Sequence, residues 1–445
     1  MSQTQRLAER IATANYEDIP PAAREVAKQA LMDFVGVTVA GMEEPLAQIL
    51  CEEVDEEGGH PQATLIGTGK KVTVQQAALV NGAAGHAHDY DDVQMDMTGH
   101  PTVPVAPVVL ALAEHNALSG REVINAFAAG VDAECIVGRY AGSGPYKKGW
   151  HNTGTLGSFG AAAAAANLLK LDAEQTASAL GIAGTQAAGL KSQFGTMCKP
   201  LHAGHAAATG AQAAKLAQKG FTSRPDILEV EQGFMDTQAE TANPEKFDSA
   251  MQQPSYCQDI LFKYHAACYL THSAIEATLR LTESNAFDPK QIGHIKVVVD
   301  EGHLRTCNIQ EPTTGLEAKF SLRFTVAMAL TGTDTASIDA FADELTTDAN
   351  LNHYRDLVTV EANPKPTPDT TVTITLTDGT ELSETINVGI PSRDLEAQWS
   401  KLTTKFRALV SGRIGTENTE RLIKLCRELE AQDDLSPLYA AISAQ

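Results

Sequence analysis

Gly160-Ala-Ala-Ala-Ala-Ala-Ala-Asn167 and Ala203-Gly-His-Ala-Ala-Ala-Thr-Gly-Ala-Gln-Ala-Ala-Lys-Leu-Ala-Gln218 set the character of this chain. Alanine is the best helix former because it has no side-chain freedom to lose. Helices built of alanine and glycine can also approach one another closely, so both stretches predict members of a tightly packed interior bundle. The sequence on either side reads the same way. Pro20-Pro21 can open a helix at its first turn, and Val26, Ala30, Phe34 and Val37 follow at helical spacing. Ser119-Gly-Arg-Glu122 is a capping box ahead of the apolar run Val123 to Val137, and Asp172 with Gln175 has the same form ahead of a helix near Ala177 to Leu180. Near the C-terminus, Trp399 to Val410 and Glu417 to Leu429 are helical again.

The pattern changes at about residue 290. Ile295-Lys-Val-Val-Val299 is short and β-branched, and Thr370 to Leu376, Asp378-Gly379 and Thr380 to Ile386 read as a hairpin with its favoured turn dipeptide. Helical stretches, Ala318 to Leu330 and Ser337 to Leu345, are expected between these strands. At 445 residues the chain exceeds the size at which one core usually stops growing. The fold expected is therefore mainly α: a large all-helical domain built from both chain ends, residues 1–270 and 398–445, with a smaller α+β domain inserted at 271–397.

Composition narrows the function. Hydrophobic residues at 43% and charged residues at 20% fit an ordinary globular protein. No run of about 18 apolar residues offers a membrane span, and the polar N-terminal segment lacks an apolar signal core. Seven cysteines, never spaced Cys-x-x-Cys, give no sign of a disulfide framework or a cysteine-held metal. A cytoplasmic protein is expected. The net charge of −22 argues against nucleic acid and anionic lipid as partners. It would also repel an anionic substrate, so a site for one must be a local cationic pocket in an acidic shell.

Five segments could carry chemistry. Gly85-His-Ala-His-Asp-Tyr-Asp-Asp92 continues to Gly99-His100-Pro101, and on a helix Gly85, Asp89 and Asp92 would share one face. This segment admits a metal site using His86, His88, Asp89 or Asp92, an acid–base site using Asp89 and His100, or a helix end with solvated acids. In the segment from Tyr146 to Gly157, His151 precedes a glycine-punctuated loop with Thr153 and Thr155, which opens a helix and leaves backbone N–H groups for an anion. In Cys198-Lys199-Pro-Leu-His202, Lys199 stands ahead of a helix start. Lys263 and His272 lie at the apparent domain junction, and Arg323 could fork onto a carboxylate. Nucleotide, zincin and serine-hydrolase motifs are absent.

Taken in order, these segments resemble the 2-methylcitrate dehydratase (MmgE/PrpD) family, which also includes cis-aconitate decarboxylases and iminodisuccinate epimerases. The resemblance runs through Ala30-x-x-Asp33-x-x-Gly36-Val-x-x-Ala40-Gly41, His88-Asp-Tyr-Asp-Asp92, Gly99-His-Pro-x-x-Pro-Val105, Gly149-Trp-His-x-Thr-Gly-Thr-x-Gly157, Lys199-Pro-Leu-His-x-Gly204 and Ala318-Lys-Phe-Ser321. It implies a helical domain with an α+β lid, a homodimer, a cleft active site, and no metal or organic cofactor. It also implies Asp89, His100, His151 and Lys199 as active-site residues, with Lys263 and His272 beside them. Three departures stand out: Val93 where the decarboxylases carry threonine, Phe324 where they carry tyrosine, and Cys268 where they carry histidine. The expected activity is proton transfer at a carbon beside a carboxylate of a small polycarboxylate. Dehydration, epimerisation of a substituted succinate, decarboxylation and non-catalytic binding remain as its forms, decarboxylation being the least supported of the three reactions.

Overall fold

A computed structural model describes residues 1–284 and 287–443. The chain is mainly α and divides into two compact units. Met1–Ala87, Asp91–Phe262 and Ser392–Gln445 form the larger, and His88–Tyr90 with Lys263–Pro391 form the smaller.

At the centre of the larger unit the helix Cys198–Gln218 packs on both Val74–Gly85 and Asn152–Leu168. The small residues that mark two of them in the sequence are what allow this. A Cβ on Gly82 would come within 2.9 Å of the Gly204 Cα, one on Gly210 within 2.5 Å of the Ala161 carbonyl carbon, and one on Gly204 would run into the Leu79 carbonyl. Ala161 to Ala166 are all fully buried. Both expected capping boxes form, at Ser119 with Glu122 and at Asp172 with Gln175. The chain ends join where the helix Leu395–Ile414 packs against Pro21–Gly41, and there Lys405 meets Asp33 at 2.8 Å with both side chains buried. This unit is not wholly helical. Ala63–Thr64 pairs antiparallel with Lys71–Val72 across a turn in which Gly67 and Gly69 take φ of +80° and +69°, and a two-residue pairing is too short to show alternation in sequence.

In the smaller unit Val358–Ala362, Ile292–Val299, Thr370–Leu376 and Glu381–Ile386 form one sheet in that order. The hairpin turns at Gly379, whose φ is +91°. The edge strand Val358–Ala362, parallel to Ile292–Val299, had no counterpart in the sequence reading; of its five residues only Val358 is buried. The expected helix over 318–330 is two helices, Gly315–Ala318 and Leu322–Leu330, broken where the Ser321 side chain caps the second. Ser337 to Leu345 forms only short 3-10 turns, at Asp339–Phe341 and Asp343–Thr347. Among the described residues no single helix is long and apolar enough to cross a membrane.

One buried group gives a pH test of the larger unit. Glu134 is fully buried in the helix Gly120–Ala141, neither carboxyl oxygen has a hydrogen-bond partner among the described residues, and an added Cβ on Gly160 would stand 2.7 Å from its Oε2. Burial, then the nearby Asp92, push its carboxyl well above the usual 4.5. The folded chain therefore keeps a proton that the unfolded chain releases above 4.5, and stability from this group is lost as pH rises toward the folded value. Glu134→Gln removes this dependence. Between about pH 5 and about pH 8 the urea midpoint of the wild type should fall by more than that of the variant; parallel midpoints would show that Glu134 does not retain its proton.

Candidate active site

The three glycine-packed helices bring their ends together. His86 caps the C-terminus of Val74–Gly85, and His151 is the N-cap of Asn152–Leu168, with no side chain capping that helix start. Lys199 is the second and His202 the fifth residue of Cys198–Gln218. His100 joins them from the segment before the helix Thr102–Asn116. The His86 ring stands 4.5 Å from that of His100, edge to face, and 5.8 Å from that of His151, nearly parallel. His151 Nδ1 lies 3.1 Å from His202 Nδ1. Phe194 presents its ring to both His151, at 5.0 Å, and the Lys199 ammonium, at 5.5 Å.

Burial sets the electrostatics. It pushes His86 down to about 4 and His151 well below its usual 6.5, and in both the neighbouring Lys199 and His100 push the same way. Asp91 alone opposes this strongly at His86. Its two carboxylate oxygens lie 2.9 and 3.0 Å from His86 Nδ1, and Oδ2 lies 3.0 Å from His100 Nδ1. Burial works against the charge of Asp91, but His100 and then His86 outweigh it and hold the carboxyl well below 3.8. The larger unit thus holds neutral imidazoles, ready to accept protons near neutral pH, beside a buried lysine and an open helix N-terminus. That is acid–base equipment with an anion seat.

Several expected residues stand in a different setting. Asp89 and Asp92 do not share a helix face with Gly85, because the helix ends at Gly85 and Asp89 takes φ +52°, a left-handed turn that aspartate tolerates. Asp92 instead accepts hydrogen bonds from the Thr102 N–H at 3.3 Å and hydroxyl at 2.5 Å. Thr153 and Thr155 lie inside the helix rather than in a loop. The Thr153 hydroxyl accepts from the His100 N–H at 3.1 Å, and the fully buried Thr155 hydroxyl has no partner among the described residues. Lys199 is in the helix rather than ahead of it, and is 7% exposed.

The smaller unit holds the rest. Lys263 Nζ lies 3.2 Å from Asp89 Oδ1 and donates to the Asp89 carbonyl. Lys319 Nζ donates to the His88 carbonyl at 3.1 Å. His272 Nε2 lies 3.2 Å from the Ala267 carbonyl, and burial, followed by His265 and Lys263, holds the ring well below 6.5. The half-buried Arg323 donates to Asn308 Oδ1 at 2.7 Å. Cys268 is drawn down by a hydrogen bond from Cys307, with Lys263 helping.

The sequence reading did not single out Asp91, His202 or Phe194. Asp91 is hidden by its own neighbourhood, since three aspartates in four residues look alike until the turn at Asp89 aims each differently. The one signal available was that alternate residues in an extended segment face opposite ways.

His86, Asp91 and His100 each offer a ligand-type atom within 4.8 Å of the others, a set that divalent ions accept. Here, though, both oxygens of Asp91 are engaged by imidazole nitrogens, and the cluster reads as an acid–base network. Activity should survive exhaustive chelation, and elemental analysis of the active protein should find no stoichiometric metal. Loss on chelation, restored by one divalent ion, would overturn this.

Comparison with known proteins identifies a family. The MmgE/PrpD N-terminal domain matches residues 5–246 and the MmgE/PrpD C-terminal domain residues 265–431. The cis-aconitate decarboxylase of Homo sapiens is 29% identical over 389 residues, spanning 81% of this chain and 78% of its own length. A cis-aconitate decarboxylase of Aspergillus terreus is 25% identical over 96% of this chain and 93% of its own length. A cis-aconitate decarboxylase-like protein of Aspergillus oryzae is 26% identical over a similar span.

Proposed function

The chain belongs to the MmgE/PrpD family, and from that membership we propose that it is a lyase acting without a metal on a small polycarboxylate, by proton abstraction beside a carboxylate, as in dehydration of the 2-methylcitrate type. The observation that carries this is the gathering of neutral, buried His151 and His86 within electrostatic reach of Lys199, with His151 at the uncapped helix start at Asn152. A carbon acid beside a carboxylate is weak, and its deprotonation needs both a base and a cation for the charge that develops. In this reading Lys199 and the helix start take the carboxylate, His151 or His100 removes the proton, and the other returns a proton to the departing hydroxide, which leaves as water. Lys263, His272 and Arg323 are the candidate ligand holders of the smaller unit, and a homodimer is the expected assembly.

Two other reactions use the same first step. Epimerisation of a substituted succinate such as iminodisuccinate would return the proton to the opposite face. Decarboxylation is favoured by the names of the relatives. Against it, Val93 and Phe324, at the positions where the resemblance leads one to expect the threonine and tyrosine of the decarboxylases, are buried apolar groups. A panel of citrate, 2-methylcitrate, cis-aconitate and iminodisuccinate separates them by product: dehydration changes water content, epimerisation inverts one centre, and decarboxylation releases carbon dioxide. Turnover of 2-methylcitrate or citrate to the unsaturated acid is expected. Carbon dioxide from cis-aconitate as the dominant reaction would replace dehydration by decarboxylation.

A further inference from the structure

We infer that Asp91 is a positioning residue that fixes His86 and His100 in the same tautomer, with the proton on Nδ1, so that both rings present Nε2 as a proton acceptor, and that His86 thereby joins the proton-transferring set. This deepens the reading above and rests on it for its kinetic consequence, though not for its structural one.

The argument begins with hydrogen-bond roles. An ionised carboxylate can only accept. Asp91 is buried with His86 and lies 2.9 and 3.0 Å from its Nδ1, and 3.0 Å from Nδ1 of the partly buried His100, so a proton on each Nδ1 makes the His86 contacts hydrogen bonds and turns the His100 approach from lone-pair repulsion into attraction. Side-chain hydrogen bonding from both rings also helps to hold the Asp91 carboxyl well below its usual range despite burial, as donation to an ionised carboxylate would. A neutral imidazole carries one N–H, so placing it on Nδ1 leaves Nε2 with its lone pair.

The second observation concerns that lone pair. His86 Nε2 is buried and has no hydrogen-bond partner among the described residues. A buried polar atom without a partner costs free energy unless something fills the vacancy. The ring lies nearly parallel to His151 at 5.8 Å and edge-on to His100 at 4.5 Å, within the cluster that Lys199 adjoins. Its position suits a group that receives a hydrogen bond or proton from an acid bound there. His151 and His202 are wired differently: with Nδ1 facing Nδ1 at 3.1 Å, one must donate and the other accept, so their tautomers are opposite. The site thus contains one pair of like tautomers set by a carboxylate and one pair of unlike tautomers set by each other.

The test reads the tautomers directly. Protein labelled with 15N in its histidines is examined by NMR without any ligand, the His86 and His100 resonances being assigned with the His86→Gln and His100→Gln variants. Both rings should show a protonated Nδ1 and an unprotonated Nε2. In Asp91→Asn the amide can donate as well as accept, so at least one ring should change tautomer. Turnover of the panel acids should then fall by roughly 10²–10⁴-fold in kcat with KM little changed, a split that mere loosening of the fold would not give. A wild-type ring protonated on Nε2, or an Asp91→Asn variant with wild-type kcat, would overturn the inference. Should none of the panel acids be turned over, the functional reading fails, while the wild-type tautomers still decide the role of Asp91.

Discussion

His151→Gln is expected to lower turnover by roughly 10²–10⁴-fold and to stop solvent exchange at the carbon beside the substrate carboxylate. His151 is 2% exposed and is held neutral by burial, with His86, Lys199 and His100 adding to the effect. A neutral ring at this place can take a proton near neutral pH, and the ion that forms lies beside His202. Glutamine keeps much of the shape and can still hydrogen bond to His202, so binding of the acid should persist while exchange is lost. The experiment incubates each panel acid in heavy water and follows deuterium by mass spectrometry. An epimerase using two bases would wash solvent deuterium into product, leaving the substrate pool largely unlabelled at first, and a dehydratase run in reverse would add one deuteron stereospecifically. Exchange at the wild-type rate in both His151→Gln and His100→Gln would place the base elsewhere, with Lys263, His272 and Asp89 next to be examined. Binding of a polycarboxylate without exchange in the wild type would favour a binding protein over an enzyme.

The largest stability effect should come from Lys405→Met. Lys405 and Asp33 contact each other at 2.8 and 2.9 Å and both are buried, Asp33 at 2% exposure. Burial pushes Asp33 up and Lys405 down, while each partner pulls the other back. Asp91 and Asp92 also act on Lys405, so this cation sits beneath an acid-rich layer of the core. Removing it strands Asp33 without its counter-ion, and breaking a buried pair from one side costs about 3–5 kcal/mol. Methionine fills a similar volume, so lost packing contributes little. Chemical denaturation should show that loss, and the double variant Asp33→Leu with Lys405→Met should recover most of it, because a pair replaced by apolar groups is often neutral. A single variant within about 1 kcal/mol of the wild type would show that the pair is not desolvated in solution.

Much of the architecture was legible in the residues. The alanine and glycine spacing of 160–167 and 203–218 announced close helices, the capping boxes at Ser119 and Asp172 marked true helix starts, and Asp378-Gly379 placed the hairpin. These signals are local, since a cap, a turn dipeptide and a small side chain each act within a few residues. The strand Val358–Ala362 was not legible, because what makes it a strand is its parallel partner Ile292–Val299, far away in sequence. The break at Lys319-Phe-Ser321 was also missed, since helix propensity gave no reason to stop and the cap at Ser321 is a tertiary choice.

The same division holds at the site. The sequence by itself determined the inventory: histidines 86, 100, 151 and 202, the lysines, and the aspartates of 89–92 in an order that resembles one family. It also determined that helices bearing some of these groups could come close, because their facing positions are glycine and alanine. Only the tertiary structure decided which aspartate serves which partner. The left-handed turn at Asp89 directs Asp89 to Lys263, Asp91 to His86 and His100, and Asp92 to Thr102. Only the tertiary structure could make His86 and His151 neutral, because the loss of water that lowers an imidazole's proton affinity comes from packing of distant segments and from no property of the residue or its neighbours in the chain.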